Sequence, residues 1–403
     1  MVRRSAIESP RVAACSWAVL RAGGLVLLSG AFFYPAVDTD VVQRYVLWAH
    51  RLQAGHLPWA SFHVEYPTGV LPFMLLPGGG TLYELQFVLL ALVADAYLTT
   101  TLWRIRPGGA GAWLWILLPL VLGPIIWVRF DIFVAAALVG ALSSMARARW
   151  RAAGVFLAAA TLLKLWPLVL LLVLWPLLDP IGRRRMAASA AAVLGLFTIP
   201  VLAWGGASGL WWMLRYQGGH GLEFESVWAW PVVVAHSFNR HVAIVPSHAT
   251  TEVPLSGIPG LAASALLPLA LIAVTLYLWL GRGRRLDIAT ATLLVVAVVL
   301  LGSKIMSAQY VIWTAATVGV VLQTATNAGP RWRARLLLAT AALAATTQWL
   351  FPFQVEQAFY GYTSGILAVT AHAEAAVLWF VVVLLFVIRP TTRPCVARKR
   401  TAG

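Results

Sequence analysis

The sequence predicts an all-α protein, a polytopic bundle of membrane-spanning helices, on three observations. Of 403 residues, 61% are hydrophobic and only 11% are charged, with a mean hydropathy of +0.81. Apolar runs long enough to cross a bilayer recur from end to end. Arginine and lysine fall in short intervals between those runs, so the net charge of +16 reflects orientation and contact with anionic headgroups rather than nucleic-acid binding. Two cysteines, Cys15 and Cys395, lie near opposite ends, which offers neither a disulfide framework nor a metal cluster.

Basic residues Arg3, Arg4 and Arg11 precede the first apolar run. No small-x-small cleavage site stands before Asp38, so this run is expected to be an uncleaved span near 17–36 rather than a signal peptide. Further spans are expected near 82–103, 109–128, 130–146, 152–164, 166–178, 186–204, 258–280, 286–302, 307–324, 334–352 and 367–388. The pair 152–164 and 166–178 is too short to cross about 30 Å of hydrocarbon as straight helices, and reads as a shallow hairpin turning at Lys164 and Pro167. Of 30 basic residues, 22 fall at the N-terminus, at 104–106, 147–151, 183–185, 282–285 and 331–335, and in the tail 389–403. The positive-inside rule places these in the cytoplasm, with about twelve crossings and both termini there. Arg21 reads as a snorkelling boundary residue. Residues 1–403 thus form one integral membrane domain, with outer loops at 37–81 and 205–257 and a basic cytoplasmic tail at 389–403.

The first outer loop carries the most polar stretch, DTDVVQRYVLWAHRLQAGHLPWASFHVEYPTG at 38–69. Val41, Tyr45, Trp48, Ala49 and Leu52 form a helical stripe with Gln43, Arg44, His50 and Arg51 opposite, which predicts an amphipathic helix on the membrane surface. One residue among Asp38, Thr39 and Asp40 suffices to cap it, which leaves an aspartate to explain. Glu65 and Tyr66 stand where the chain turns back. Arg129-Phe130-Asp131 lies at another outer turn, where a local surface ion pair is the plain alternative. Only three residues are lysine. Two of them, Lys164 in LLKLWP and Lys304 in GSKIMSAQY, fall at outer helix ends and suit a phosphate. The segment 216–230, YQGGHGLEFESVWAW, sets His220, Glu223 and Glu225 among glycines and aromatics and suggests a site lid. Asp95 falls inside a span, where a carboxylate needs a partner.

No nucleotide-binding loop, metal-ligand helix or nucleophile elbow is present. Carboxylates and scattered cations beside lipid suit a donor that is itself a lipid phosphate. On these pieces the chain resembles the GT-C superfamily of polytopic glycosyltransferases. More narrowly, it is similar to the bacterial polyprenol-phosphate-mannose-dependent α-mannosyltransferases. The matching segments are Asp40 with Asp38 nearby, Gly55 to Trp59, EYPTG at 65–69, RFD at 129–131, LKLWP at 163–167, GLEFES at 221–226 and SKIMSAQY at 303–310. It departs from that pattern at His220, where relatives often carry an arginine, and at Thr68, where a proline is common.

The resemblance implies transfer of a sugar, mannose by family weight, from a polyprenyl-phosphate donor to a lipid or glycan acceptor at the outer face of the bacterial cytoplasmic membrane. Asp40 would be the general base, with Asp38 as the substitute and Glu65 in support. Lys164, Lys304, Arg129, Arg215 and His220 would face the donor phosphate. Asp131, Glu223, Glu225, Tyr66, Gln309 and Tyr310 would line the substrate site. Neither metal nor cofactor is expected. The rival readings are a transporter or flippase of lipid-linked sugars and a ligase that moves whole lipid-linked glycans.

Overall fold

The computed structural model describes residues 6–30, 34–238, 244–247, 250–255, 257–280, 286–325 and 329–388, with backbone alone at 246 and 247. The basic tail 389–403 and the arginines at 282–285 lie outside the described residues. Of the described residues 77% are helical, as expected of an all-α polytopic protein. Among the described residues, seven helices are long and apolar enough to cross a membrane, and four shorter apolar helices have 10–17 residues.

In chain order the helices are α1 (Pro10–Leu28), α2 (Val46–Gln53), α3 (Thr81–Ile105), α4 (Ala110–Trp127), α5 (Asp131–Ala146), α6 (Trp150–Leu163), α7 (Leu168–Val173) and α8 (Pro180–Ala203). They continue with α9 (Ala207–Gly219), α10 (Trp230–Phe238), α11 (Gly257–Trp279), α12 (Ile288–Gly302), α13 (Tyr310–Thr324), α14 (Pro330–Gln348), α15 (Val355–Phe359) and α16 (Thr363–Ile388). Between α9 and α11 a small antiparallel sheet is made of β1 (Leu222–Glu223), β2 (Val245–Ser247) and β3 (Thr250–Val253), in the order β1-β3-β2.

The short helices α5, α12 and α13 form the centre. Nearly every residue of each is buried, which is how a helix that is apolar all round must sit. By contrast α1, α8 and α11 bury little, and expose large side chains such as Leu196, Ile199, Leu261 and Leu269. This is the composition of a lipid-facing rim. Small residues let the helices approach closely. A Cβ on Gly154 of α6 would stand 2.2 Å from the Met186 carbonyl oxygen of α8, and one on Gly111 of α4 would stand 2.0 Å from that of Gly319 in α13. Asp179 and Asp287 cap α8 and α12, accepting from Gly182 N at 2.7 Å and Thr290 N at 2.9 Å.

Four expectations change. The first span starts at Pro10, where proline suits the first helical turn, and its helix ends at Leu28, followed by Gly30 at φ +70. The short pair becomes α6, about 21 Å long at 1.5 Å per residue, and the six-residue α7, joined by the expected turn at Lys164 and Pro167. The stripe of the first loop does not face lipid: Val41, Tyr45, Trp48 and Ala49 are buried, and Tyr45 packs on Phe87 of α3 and on Phe130. Nor does Arg21 snorkel. It is 2% exposed and pairs with Asp95 through Nε at 2.9 Å and Nη2 at 3.0 Å.

The Asp95 carboxylate also accepts the indole N–H groups of Trp17, Trp115 and Trp127 at 3.2, 2.8 and 2.9 Å, and so ties α1 and α4 to α3. Removing one partner of a buried pair strands the other, at a cost of about 3–5 kcal/mol. Asp95→Ala is therefore expected to lower the thermal midpoint of the purified protein in detergent sharply, and Arg21→Met with Asp95→Leu to recover part of the loss. An Asp95→Ala protein that melts with the wild type would refute this role.

Candidate active site

A cavity of about 540 Å³ opens at one end of the bundle. It lies at the N-terminal ends of α5 and α13 and the C-terminal ends of α6 and α12. The arginines near 106, 147 and 333 stand at the other end, where Gln323 Nε2 donates to the Arg106 carbonyl at 3.0 Å and Arg333 Nη2 to that of Ala325 at 2.8 Å.

The first wall comes from the loop before α3. A π-helical turn, Asp40–Tyr45, runs directly into α2, so Asp40 and Arg44 share one face. Arg44 Nη1 lies 3.7 Å from Asp40 Oδ1 and 3.1 Å from Glu65 Oε2. Arg129, 5% exposed, places Nε 3.3 Å from Asp40 Oδ2. Its Nη1 donates to the carbonyls of Val37 at 2.6 Å and Val128 at 3.0 Å, which fixes the chain just before Asp40. Beneath them Tyr45, Tyr66 and Phe130 pack ring to ring, with centroids 4.2 and 5.1 Å apart. Burial, with the charges of Asp40 and Asp131, pushes the Tyr66 phenol above its usual range, so it remains a neutral donor.

Arg129 and Asp131 do not form the local pair that their spacing suggested. Asp131, wholly buried, accepts from Lys164 Nζ at 2.9 Å and from Trp313 Nε1 at 2.8 Å. Lys164 also sits 4.2 Å from the Tyr310 ring centroid, the geometry of a cation–π contact. The RFD turn therefore serves two walls: its arginine reaches the first loop and its aspartate holds the lysine of the α6–α7 hairpin.

The third wall is the small sheet with the turn before α13. Glu223 accepts from Thr250 Oγ1 at 3.0 Å and Ser307 Oγ at 2.5 Å. Glu225 accepts from Ala308 N at 2.8 Å. The His220 ring pairs with Glu252, whose second oxygen accepts from Gly221 N at 3.0 Å. Pinned in this way, the 220–226 segment is a wall and not the loose lid that its glycines suggested.

The cavity thus brings together Asp40, Glu65, Tyr66, Arg129, Lys164, His220, Glu223, Glu225, Gln309 and Tyr310, with Asp131 directly behind Lys164. Three expected residues lie apart from its lining. Asp38 points to Glu84, with which it shares a hydrogen bond. Lys304 Nζ donates to the Gly218 carbonyl at 2.7 Å and to Ser264 at 3.4 Å; burial draws its pKa down. Arg215 is exposed on α9. The argument from capping also changes, because Thr39 occupies the N-cap with no side-chain hydrogen bond.

Arg44, Thr250, Glu252, Ser307 and Trp313 were not singled out from the sequence. Arg44 carried a signal, four residues after Asp40 on a helix, and Ser307 lay within the matching segment SKIMSAQY. Among the described residues no group of three or more His, Cys, Asp or Glu could hold a metal ion.

The sequence model of glycosyltransferase family 87 matches residues 66–304, more than half the chain. That stretch spans Tyr66, Arg129, Asp131, Lys164, Glu223 and Glu225, while Asp40, Arg44 and Glu65 precede it. No curated protein matches the chain. A multi-span bundle with a polar, charged cavity agrees with that match, and the match displaces the transporter reading: the chain belongs to glycosyltransferase family 87, a GT-C-type family.

Proposed function

We propose that this membrane glycosyltransferase moves a hexose, mannose, from a polyprenyl phosphate to a hydroxyl of a lipid or cell-envelope glycan, with Asp40 as general base and inversion at the anomeric carbon. The observation that carries the reading is the meeting of Asp40 with Arg44, Arg129 and Lys164 around one cavity, in a chain without a nucleotide-binding motif. Asp40 takes the acceptor hydroxyl proton as its oxygen attacks C1. The C1–O bond to phosphate breaks, and the electron pair leaves with the phosphate. That leaving group is a stable anion and needs no general acid. Lys164 and Arg129 stabilise its growing charge, and Glu65 holds Arg44 against the base.

The cavity lies at the end opposite the arginine clusters, so the positive-inside rule supports a site on the outer face of the cytoplasmic membrane, with both termini inside. Lipid donor and lipid-linked acceptor would both reach it from the bilayer.

Asp40→Asn preserves shape and hydrogen-bonding capacity but takes no proton. Transfer of labelled mannose from polyprenyl-phosphate mannose in membranes is expected to fall about 10²- to 10⁴-fold, with unchanged gel-filtration behaviour. Full activity in that variant would remove Asp40 as base and leave Glu65 as the carboxylate to test. Mass spectrometry of the wild-type product separates single-sugar transfer from transfer of a whole glycan.

Protonation on the third wall is set by burial. Burial and then the nearby Glu223 charge push the Glu225 carboxyl well above the usual range. Between the unfolded value, about 4.3, and that raised value the folded protein binds more protons than the unfolded chain. Stability contributed by Glu225 therefore falls as pH rises through this window. Thermal midpoints of wild type and Glu225→Gln across pH are expected to diverge, with the variant gaining on the wild type as pH rises above about 4.3. A constant offset between the two curves would contradict the raised value.

A further inference from the structure

The cavity is chemically divided. Arg44, Arg129 and Lys164 face it from the first loop, the turn before α5 and the α6–α7 hairpin, and each lies beside a carboxylate. Glu223 faces it from the sheet without a cation in ion-pair contact among the described residues. It is 4% exposed. Its backbone N–H donates to the Lys304 carbonyl at 2.9 Å, which holds β1 against the 303–310 turn. Its Oε1 takes both Thr250 and Ser307, and its Oε2 has no hydrogen-bond partner among the described residues.

A buried acceptor left without a donor is destabilising, and a ligand that brings the donor relieves the cost. The polar moieties of a glycosyl phosphate differ in their ability to relieve this. The phosphodiester has acceptors and a negative charge but no donor, so it cannot satisfy Oε2 and is attracted to the opposite cations. Sugar hydroxyls are donors. We propose that Glu223 is a specificity residue for the donor sugar, accepting a hydrogen bond at Oε2 from a hydroxyl of the transferred hexose, while Thr250 and Ser307 orient its carboxylate. This rests on the glycosyl-phosphate donor reading above, and it adds a direction: sugar toward the sheet, phosphate toward Lys164 and Arg129.

Equilibrium binding to the full-length protein in lipid nanodiscs tests it, read by tryptophan fluorescence because Trp166 and Trp313 line the cavity. The two probes are a polyprenyl phosphate and its mannosyl ester. Glu223→Gln is expected to weaken the ester about tenfold or more, as loss of a charge-assisted hydrogen bond does, and to leave the bare phosphate within about twofold. The unchanged bare-phosphate affinity also reports an intact fold. Thr250→Val, which removes one donor to Oε1, is expected to shift the same ratio in the same direction by less. Equal weakening of both probes, or an unchanged ester affinity, overturns the assignment. Wild-type protein that binds neither probe overturns the donor class itself, a failure visible before any variant is made.

Discussion

A charge inside a low-dielectric bundle is stable only beside its opposite, and breaking such a pair costs more than the pair contributes. This constraint decides which distant segments of the chain must meet. Arg21 and Asp95 join α1 to α3 and recruit indoles from α1 and α4. Arg129 and Asp40 fasten the first loop to the turn before α5. Lys164 and Asp131 fasten the α6–α7 hairpin to the start of α5. The last two pairs share one three-residue turn, so the loop and the hairpin are held at a common edge, and the cavity is the space between them.

The same pairing gives the cavity its chemistry. Each cation that could meet an anionic leaving group already lies against a carboxylate, so its position is set before substrate arrives, and preorganised charge is the kind that lowers a barrier. The sheet wall works differently. There Glu223 and Glu225 are held by hydroxyls and a backbone N–H group rather than by cations, and burial pushes both carboxyls above the usual range.

The helical, multi-span architecture was legible because apolar runs and the arginines between them are one-dimensional features. What lay beyond the sequence was which faces turn inward. The stripe from Val41 to Ala49 has the same spacing whether it meets lipid or protein, and it meets Phe87 and Phe130. RFD reads as a local pair because its charges are two residues apart, yet its side chains reach Asp40 and Lys164 on opposite sides. Lys304 reads as a phosphate ligand from its place at a helix end, but a nearby carbonyl already takes its ammonium group. The lid reading of 216–230 rested on glycines, and the hydrogen bonds that make the segment a wall come from Thr250, Ser307 and Ala308, far along the chain. Residues such as Glu252 matter only through such distant partners and leave no local mark.

The central helices carry one more consequence. α12 and α13 have 15 residues each, about 22 Å of helix, against a hydrocarbon layer of about 30 Å. Helices of that length do not reach across the hydrocarbon layer, which leaves room within its thickness for a polar basin at one end of them. A substrate moored in the bilayer by a long hydrocarbon tail could approach sideways, keeping the tail dissolved in lipid while its polar end enters the basin. The shortness of the core helices would spare such a substrate the work of being lifted out of the membrane.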